Sequence, residues 1–152
     1  MIDLGKIMTS VRSIMSDDIL TLGIENTLSD ARIMMMENNI RHIPIVDDKQ
    51  VLMGLVSQRD VLSAEESTLF DINVTSRLDR EQHVKINDFY RRDVVTIDAH
   101  VSVHNAALII QKYKIGCLPI LSNDKLIGLV TDSDFVNVAI NLIEVLSSRE
   151  AD

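Results

Sequence analysis

The 152-residue sequence is 46% hydrophobic and 25% charged, with a formal net charge of −8, the balance of an ordinary globular chain long enough to bury a core. That acidity argues against nucleic acid as a partner, since phosphate backbones need a basic face; with 3% aromatic residues and no Trp, base-stacking platforms are not expected either. One cysteine, Cys117, allows no internal disulfide and points to a reducing, cytoplasmic setting.

In chain order, residues 1–10 read as an N-terminal extension. Over residues 1–15, Lys6 and Arg12 interrupt a short apolar pattern, so the N-terminus lacks the continuous stretch of a signal peptide. No later apolar run is long enough to span a bilayer, so no membrane partner is expected. Residues 19–22 are a short apolar run, read as a strand. Thr27 and Asp30 have capping-box spacing. Ala31, Met34, Met35 and Asn38 follow at helical intervals, with Met34, Met35 and Met36 all expected in the core. Residues 43–46 read as a buried strand containing Pro44, which predicts an edge position or the strand's first turn. A polar turn over residues 47–50 leads to a second strand, 51–56, so the pair is a hairpin. Asp60 then opens a helix. Residues 63–84 are polar, contain no Pro or Gly, and are expected to be partly helical.

The remainder repeats this order. Shifted by 75 residues, Val11 falls on Ile86, Asp18 on Asp93, Thr21 on Thr96, Thr27 on Ser102, Ala31 on Ala106 and Pro44 on Pro119. The first copy has one more residue in its turn, so Gly54 falls on Gly128 and Asp60 on Asp134. Residues 94–97 are the second copy's first strand. Ala106, Ile109, Ile110 and Tyr113 form its helical stripe, 126–130 its hairpin strand, and Ile140, Ile143 and Leu146 lie on a closing helix. Each copy is therefore β-α-β-β-α, an α/β (α+β) arrangement. The predicted boundaries are 11–66 for the first repeat, 67–84 for the linker and 85–148 for the second repeat. A sheet with helices on one face leaves the other face to cover. The sister sheet covers it most simply, giving a pseudo-twofold axis, sheets face to face, helices outside, and two equivalent clefts.

Two copies of one pattern carry a family resemblance: Pro44…Gly54-Leu-Val-Ser57-Gln-Arg-Asp60 and Pro119…Gly128-Leu-Val-Thr131-Asp-Ser-Asp134. The chain resembles the CBS (cystathionine β-synthase) domain family over roughly residues 11–146. The resemblance implies a regulatory module whose clefts bind adenosine-containing ligands such as AMP, ADP, ATP or S-adenosylmethionine, and which assembles as a homodimer. It implies that Asp60 and Asp134 take the ribose hydroxyls and that Ser57 and Thr131 contact phosphate or ribose. It further implies that Arg41-His42 and Gly116-Cys117 line the phosphate path, and that Thr96 and Thr21, each from the opposite copy, border the adenine.

The residue chemistry agrees with these roles. A carboxylate accepts two bonds from a vicinal diol, and a hydroxyl with backbone N–H groups at a helix start suits phosphate. Arg41 and Arg59 add charge-assisted donors to the Asp60 cleft. The Asp134 cleft has Gly116, Cys117 and Ser133 at matching positions, plus Asp132. On charge alone the first cleft suits more phosphate, and the second a weaker or nucleoside-like ligand. Purely structural roles are also open: Asp60 and Asp134 as helix caps, Ser57 and Thr131 as strand-end residues, Cys117 as a small buried apolar group. His83, His100 and His104 lack metal-site spacing, and no nucleophile–base pair or phosphate loop occurs, so no enzyme is expected. The alternative function is a ligand-free interaction module that keeps the fold. For the dimer, Val136, Ile140, Ile143 and Leu146, with Ile7 and Val11, offer apolar surface that one pair leaves uncovered.

Overall fold

The computed structural model of the chain describes residues 10–69 and 77–151, and they divide into two compact units. Residues 20–94 form the first unit. The second combines residues before 20 with those from 95 onward. Ile7 and residues 70–76 of the predicted linker lie outside the described residues.

In the first unit, helix α1 (Leu28–Asn38) starts on the predicted capping box. The Asp30 N–H donates to Thr27 Oγ1 at 3.2 Å, and the Thr27 N–H donates to Asp30 Oδ2 at 2.9 Å. The helix stops at Asn39, whose φ of 52° is left-handed, a conformation asparagine tolerates. Leu28, Ala31 and Met35 are buried and Met34 packs partly against the core, but Met36 is 68% exposed. The expectation that all three methionines are core therefore fails for Met36. Successive helical residues turn by roughly 100°, so three in a row cannot share one face.

Strands β1 (His42–Val46) and β2 (Leu52–Ser57) form the predicted antiparallel hairpin. The first copy's extra turn residue is held by Asp47, whose Oδ1 accepts the Lys49 and Val51 N–H groups at 2.8 and 3.0 Å. The strand expected over residues 19–22 is not formed; a single parallel bridge, Leu22 to Ile45, stands in its place. Pro44 gives the reason. The Leu22 N–H donates to the Pro44 carbonyl at 3.1 Å and the Val46 N–H to the Leu22 carbonyl at 3.0 Å. Pro44 has no N–H to extend this ladder backward. On the hairpin side Pro44 faces Leu55, whose own N–H and C=O point away to Arg91, so no hairpin bond is lost. Pro44 is thus tolerated in the third position of β1, an edge strand of a two-stranded sheet as expected, with its missing N–H on the side away from β2.

Helix α2 (Gln58–Thr68) follows β2, and helix α3 (Arg77–Gln82) lies in the predicted linker. Glu81 of α3 is fully buried, with Arg32 of α1 donating from Nε to its Oε2 at 2.7 Å. The chain then runs back along the unit's start. Leu28 N–H bonds Val84 C=O and Ile86 N–H bonds Asn26 C=O, both at 2.8 Å. Ile86 completes a core of Leu28, Ala31, Met35, Ile43, Ile45, Val56 and Val61. Arg91 then pairs with Leu55 along the outer edge of β2.

The second unit repeats the plan. Its sheet order is β3 (Ile97–Asp98), β4 (Cys117–Ser122), β5 (Lys125–Thr131), with β3·β4 parallel and β4·β5 antiparallel. The strand expected over 94–97 shrinks to Ile97–Asp98, for the reason met above: Ile97 lies opposite Ile120, one residue past Pro119. Pro119, unlike Pro44, sits in a central strand. Asn123 and Asp124, at φ 51° and 65°, make the tight two-residue hairpin turn. Helix α4 (Val103–Tyr113) is capped by Ser102, whose Oγ accepts the Asn105 N–H at 3.0 Å. Helix α5 (Asp132–Glu150) closes the unit. Val11, in a 3-10 turn over Val11–Ser13, is fully buried with Ile97, Ala99, Ala106, Leu118, Ile120 and Val130. Its expected role as free dimer surface is therefore corrected.

The leading segment of each sequence copy thus pairs along the outer strand of the other copy's hairpin, Ser16 with Leu129 and Arg91 with Leu55.

Candidate functional site

Within the first unit the hairpin brings the predicted residues together. His42 lies opposite Ser57, and the Gln58 N–H donates to the Arg41 carbonyl at 2.8 Å. Ser57 is the N-cap of α2. Asp60 is not the cap, as a purely structural reading placed it, but the third helical residue, reaching back. Its Oδ2 accepts both the Ser57 N–H and the Ser57 Oγ–H at 2.8 Å, while the Asp60 N–H donates to Ser57 Oγ at 3.2 Å. Ser57, read as a strand-end residue, is thus both strand end and cap. Arg41 and Arg59 are exposed and His42 is half-buried.

A residue that sequence reasoning passed over completes this arrangement. Arg91 donates from Nε to Asp60 Oδ1 at 2.9 Å; its side chain is 65% exposed and that of Asp60 only 11%. A close backbone approach holds it there. The Leu55 N–H donates to the Arg91 carbonyl, and the Arg91 N–H to the Leu55 carbonyl, both at 2.9 Å. A side chain at Gly54 would collide with that carbonyl and with the Tyr90 ring, which accounts for the glycine of the motif. Beside it, Arg92 lies 5.1 Å from the Tyr90 ring centroid and donates to the Tyr90 hydroxyl at 2.9 Å.

The second unit builds the same corner with different charges. Cys117 lies opposite Thr131, and the Asp132 N–H donates to the Gly116 carbonyl at 3.1 Å. Thr131 caps α5. Asp134 Oδ2 accepts the Thr131 N–H at 2.8 Å and the Thr131 hydroxyl at 3.3 Å. Ser16 stands where Arg91 stands in the first unit, bonded to Leu129 through both backbone groups at 2.9 Å. Serine brings no cation, and no cation pairs with Asp134 among the described residues. Asp132 and Ser133 are exposed, the Asp132 Oδ1 accepting the Ser133 N–H at 2.9 Å. Cys117 is 4% exposed, and burial, reinforced by the nearby Asp134 and Asp132 charges, pushes its thiol up to about 12. It is a neutral wall, not a nucleophile.

Thr21 lies in the unit of Asp60, half-buried just before the Leu22 bridge. Thr96 lies in the unit of Asp134, exposed just before β3. Among the described residues no His, Cys, Asp and Glu group is arranged to hold a metal, and no helix is long and apolar enough to cross a membrane.

The CBS domain family model matches residues 11–67 and 86–141. A CBS domain-containing protein of Dictyostelium discoideum is 30% identical over 135 residues, covering 88% of this chain and 93% of that protein. A Vibrio cholerae structure described as an acetoin utilization protein (AcuB) is 38% identical, with a TM-score of 0.78 over 93% of this chain and 97% of its own. Two more distant structures share the fold. The CBS domain pair of protein MJ0100, in complex with 5′-methylthioadenosine and S-adenosylmethionine, is 24% identical, with a TM-score of 0.74 over 88% of this chain and 98% of that one. CBSX2 in complex with AMP is 22% identical, with a TM-score of 0.72 over 88% and 97%.

Proposed function

This chain belongs to the CBS domain family, with two copies of the domain, and on that premise we propose that it is a regulatory module that binds adenosine-containing ligands and signals by changing conformation. The ligand classes are AMP, ADP, ATP or S-adenosylmethionine. The repeats of this reading are residues 11–66 and 85–148, joined by the 67–84 linker. The observation that carries it is the duplicated corner: a half-buried Asp at the start of a helix, oriented by the hydroxyl residue three positions earlier, in both units. A carboxylate fixed at one oxygen presents the other to a ribose diol. The adjoining backbone N–H groups of the helix start favour a phosphate or carboxylate. AMP, 5′-methylthioadenosine and S-adenosylmethionine in the distant CBS structures support the adenosine class.

The reading is of a binding module, not an enzyme: both motif carboxylates are held at a helix cap through one oxygen, and Cys117 is neutral. We place it in the cytoplasm, where a lone buried thiol stays reduced. A homodimer belongs to the same proposal, with a second copy of the chain covering the α5 face. Val136, Ile140, Ile143 and Leu146 recur there at helical spacing and are 56%, 47%, 61% and 58% exposed. Sedimentation at micromolar concentration is expected to give a dimer, and Ile143→Asp a monomer.

Nucleotides released from gently purified protein, identified by mass spectrometry, test the ligand directly. A thermal-shift series with AMP, ADP, ATP and S-adenosylmethionine follows, since a ligand that binds only the folded state raises its Tm. The expected result is a shift with at least one of them, reduced by Asp134→Ala. If no adenosine compound shifts Tm and none is released, the ligand-free interaction module is the correct reading.

A further inference from the structure

The two motif carboxylates differ in the capacity left on their oxygens. Each carboxylate oxygen offers about two lone-pair sites. In Asp60 the Oδ2 is filled by the Ser57 N–H and hydroxyl, so only Oδ1 remains, and Arg91 Nε already donates to it. With Arg91 in place, Asp60 can accept one hydroxyl of a ribose, not two. In Asp134 the Oδ2 is likewise engaged by Thr131, but the matching backbone position carries Ser16, and among the described residues Oδ1 keeps its full capacity.

We propose that Arg91 sets the ligand class of the Asp60 site, admitting adenine nucleotides with an anionic 5′ group and disfavouring neutral nucleosides, whereas the Asp134 site accepts both. The proposal rests on the adenosine-binding function above. To seat both ribose hydroxyls, the Arg91–Asp60 pair must open. A neutral nucleoside leaves the released guanidinium unpaired. A 5′-phosphate supplies a new anion for it, within reach of a long, 65% exposed side chain. The backbone bonds of Arg91 to Leu55 need no particular side chain, so exchange at this position leaves the fold in place.

Calorimetry with AMP and adenosine tests this on full-length protein carrying Asp134→Ala, which leaves the Asp60 site to be read alone. With Arg91 present, AMP is expected to bind about tenfold or more tightly than adenosine. Arg91→Ser should strengthen adenosine binding by about threefold to tenfold and weaken AMP binding, removing most of the preference. Arg91→Lys, keeping the charge, should retain most of it. In the reciprocal protein, Asp60→Ala with Ser16→Arg should acquire a preference for AMP. Arg91→Ser leaving both affinities within twofold overturns the proposal. So does binding that is present in the native chain but absent from every Asp134→Ala protein; adenosine binding is then real and only the role of Arg91 fails. No binding of either compound to the native chain or to any variant removes the adenosine function itself, and this inference with it.

Discussion

Alanine at Gly54 and at Gly128 makes the same chemical change at equivalent motif positions, yet the two should differ in cost. At Gly54 the added Cβ would lie against the Arg91 carbonyl oxygen and 2.7 and 2.9 Å from Tyr90 Cδ2 and Cε2. That carbonyl cannot step aside freely, because the Leu55–Arg91 pair is closed by two backbone hydrogen bonds of 2.9 Å. Relief means lifting the segment off β2. The loss is two bonds of about 1 kcal/mol each, together with overpacking of about 1–3 kcal/mol, or about 3–5 kcal/mol in all. At Gly128 the added carbon meets the Met15 side chain and lies 3.2 Å from the Ser16 carbonyl. Methionine is unbranched and can swing away, and the carbonyl need give only a few tenths of an ångström, so about 1–2 kcal/mol is expected. Urea denaturation with unchanged m-values measures both. Gly128→Ala should also cost less on a Met15→Ala background than on the native one. Equal costs at the two glycines, or a larger cost at Gly128, would refute the reasoning.

Asp60→Ala should destabilise by about 1–2 kcal/mol, and Asp134→Ala by about 1 kcal/mol. Both lose a cap partner, but only Asp60 also loses an ion pair, a small contribution because Arg91 is 65% exposed; identical urea midpoints would count against that pair. Arg32→Met removes the guanidinium that faces the fully buried Glu81 and should cost about 3 kcal/mol. The double change Arg32→Met/Glu81→Met should cost less than the two single changes added together, which a double-mutant cycle checks. Cys117, with its thiol pushed up to about 12 from an ordinary 9.0, should resist thiol reagents at pH 8 until denaturant is added. Its folded form holds the proton more tightly than the unfolded form, so its contribution to stability is full below pH 9 and is lost as pH rises toward 12. Replacing it with alanine should flatten the stability profile in that window.

What could be read from the linear chain was mostly short-range. Thr27–Asp30 and Ser102 cap their helices where expected, since capping is decided within four residues. Asn123 and Asp124 close a two-residue turn, and the repeat carried the order of elements from one unit to the other. The first strand gave way to a single bridge in the first copy and to two residues in the second, because the absence of one N–H, at Pro44 and at Pro119, limits a ladder whose partner lies elsewhere in the chain. Met36 and Val11 were misjudged because exposure depends on which neighbours arrive, not on residue type.

The candidate site divides along the same line. Asp60, Ser57, Asp134 and Thr131 were legible because the strand–cap–helix pattern that places them is continuous in sequence. Arg91 was not, although its contrast with Ser16 in otherwise matching segments was there to be seen. It reaches Asp60 from 31 residues away, held by a backbone pairing that exchanges the leading segments of the two repeats. The amino-acid order alone determined two copies of one helix–hairpin–helix plan, each with a carboxylate at the start of its closing helix, because propensity, capping and turn chemistry act between neighbours. Only the tertiary structure decided which copy's leading segment lies against which hairpin. It thereby set one carboxylate beside a guanidinium and, among the described residues, left its twin without one, because contacts between distant segments are chosen by the packing of whole surfaces.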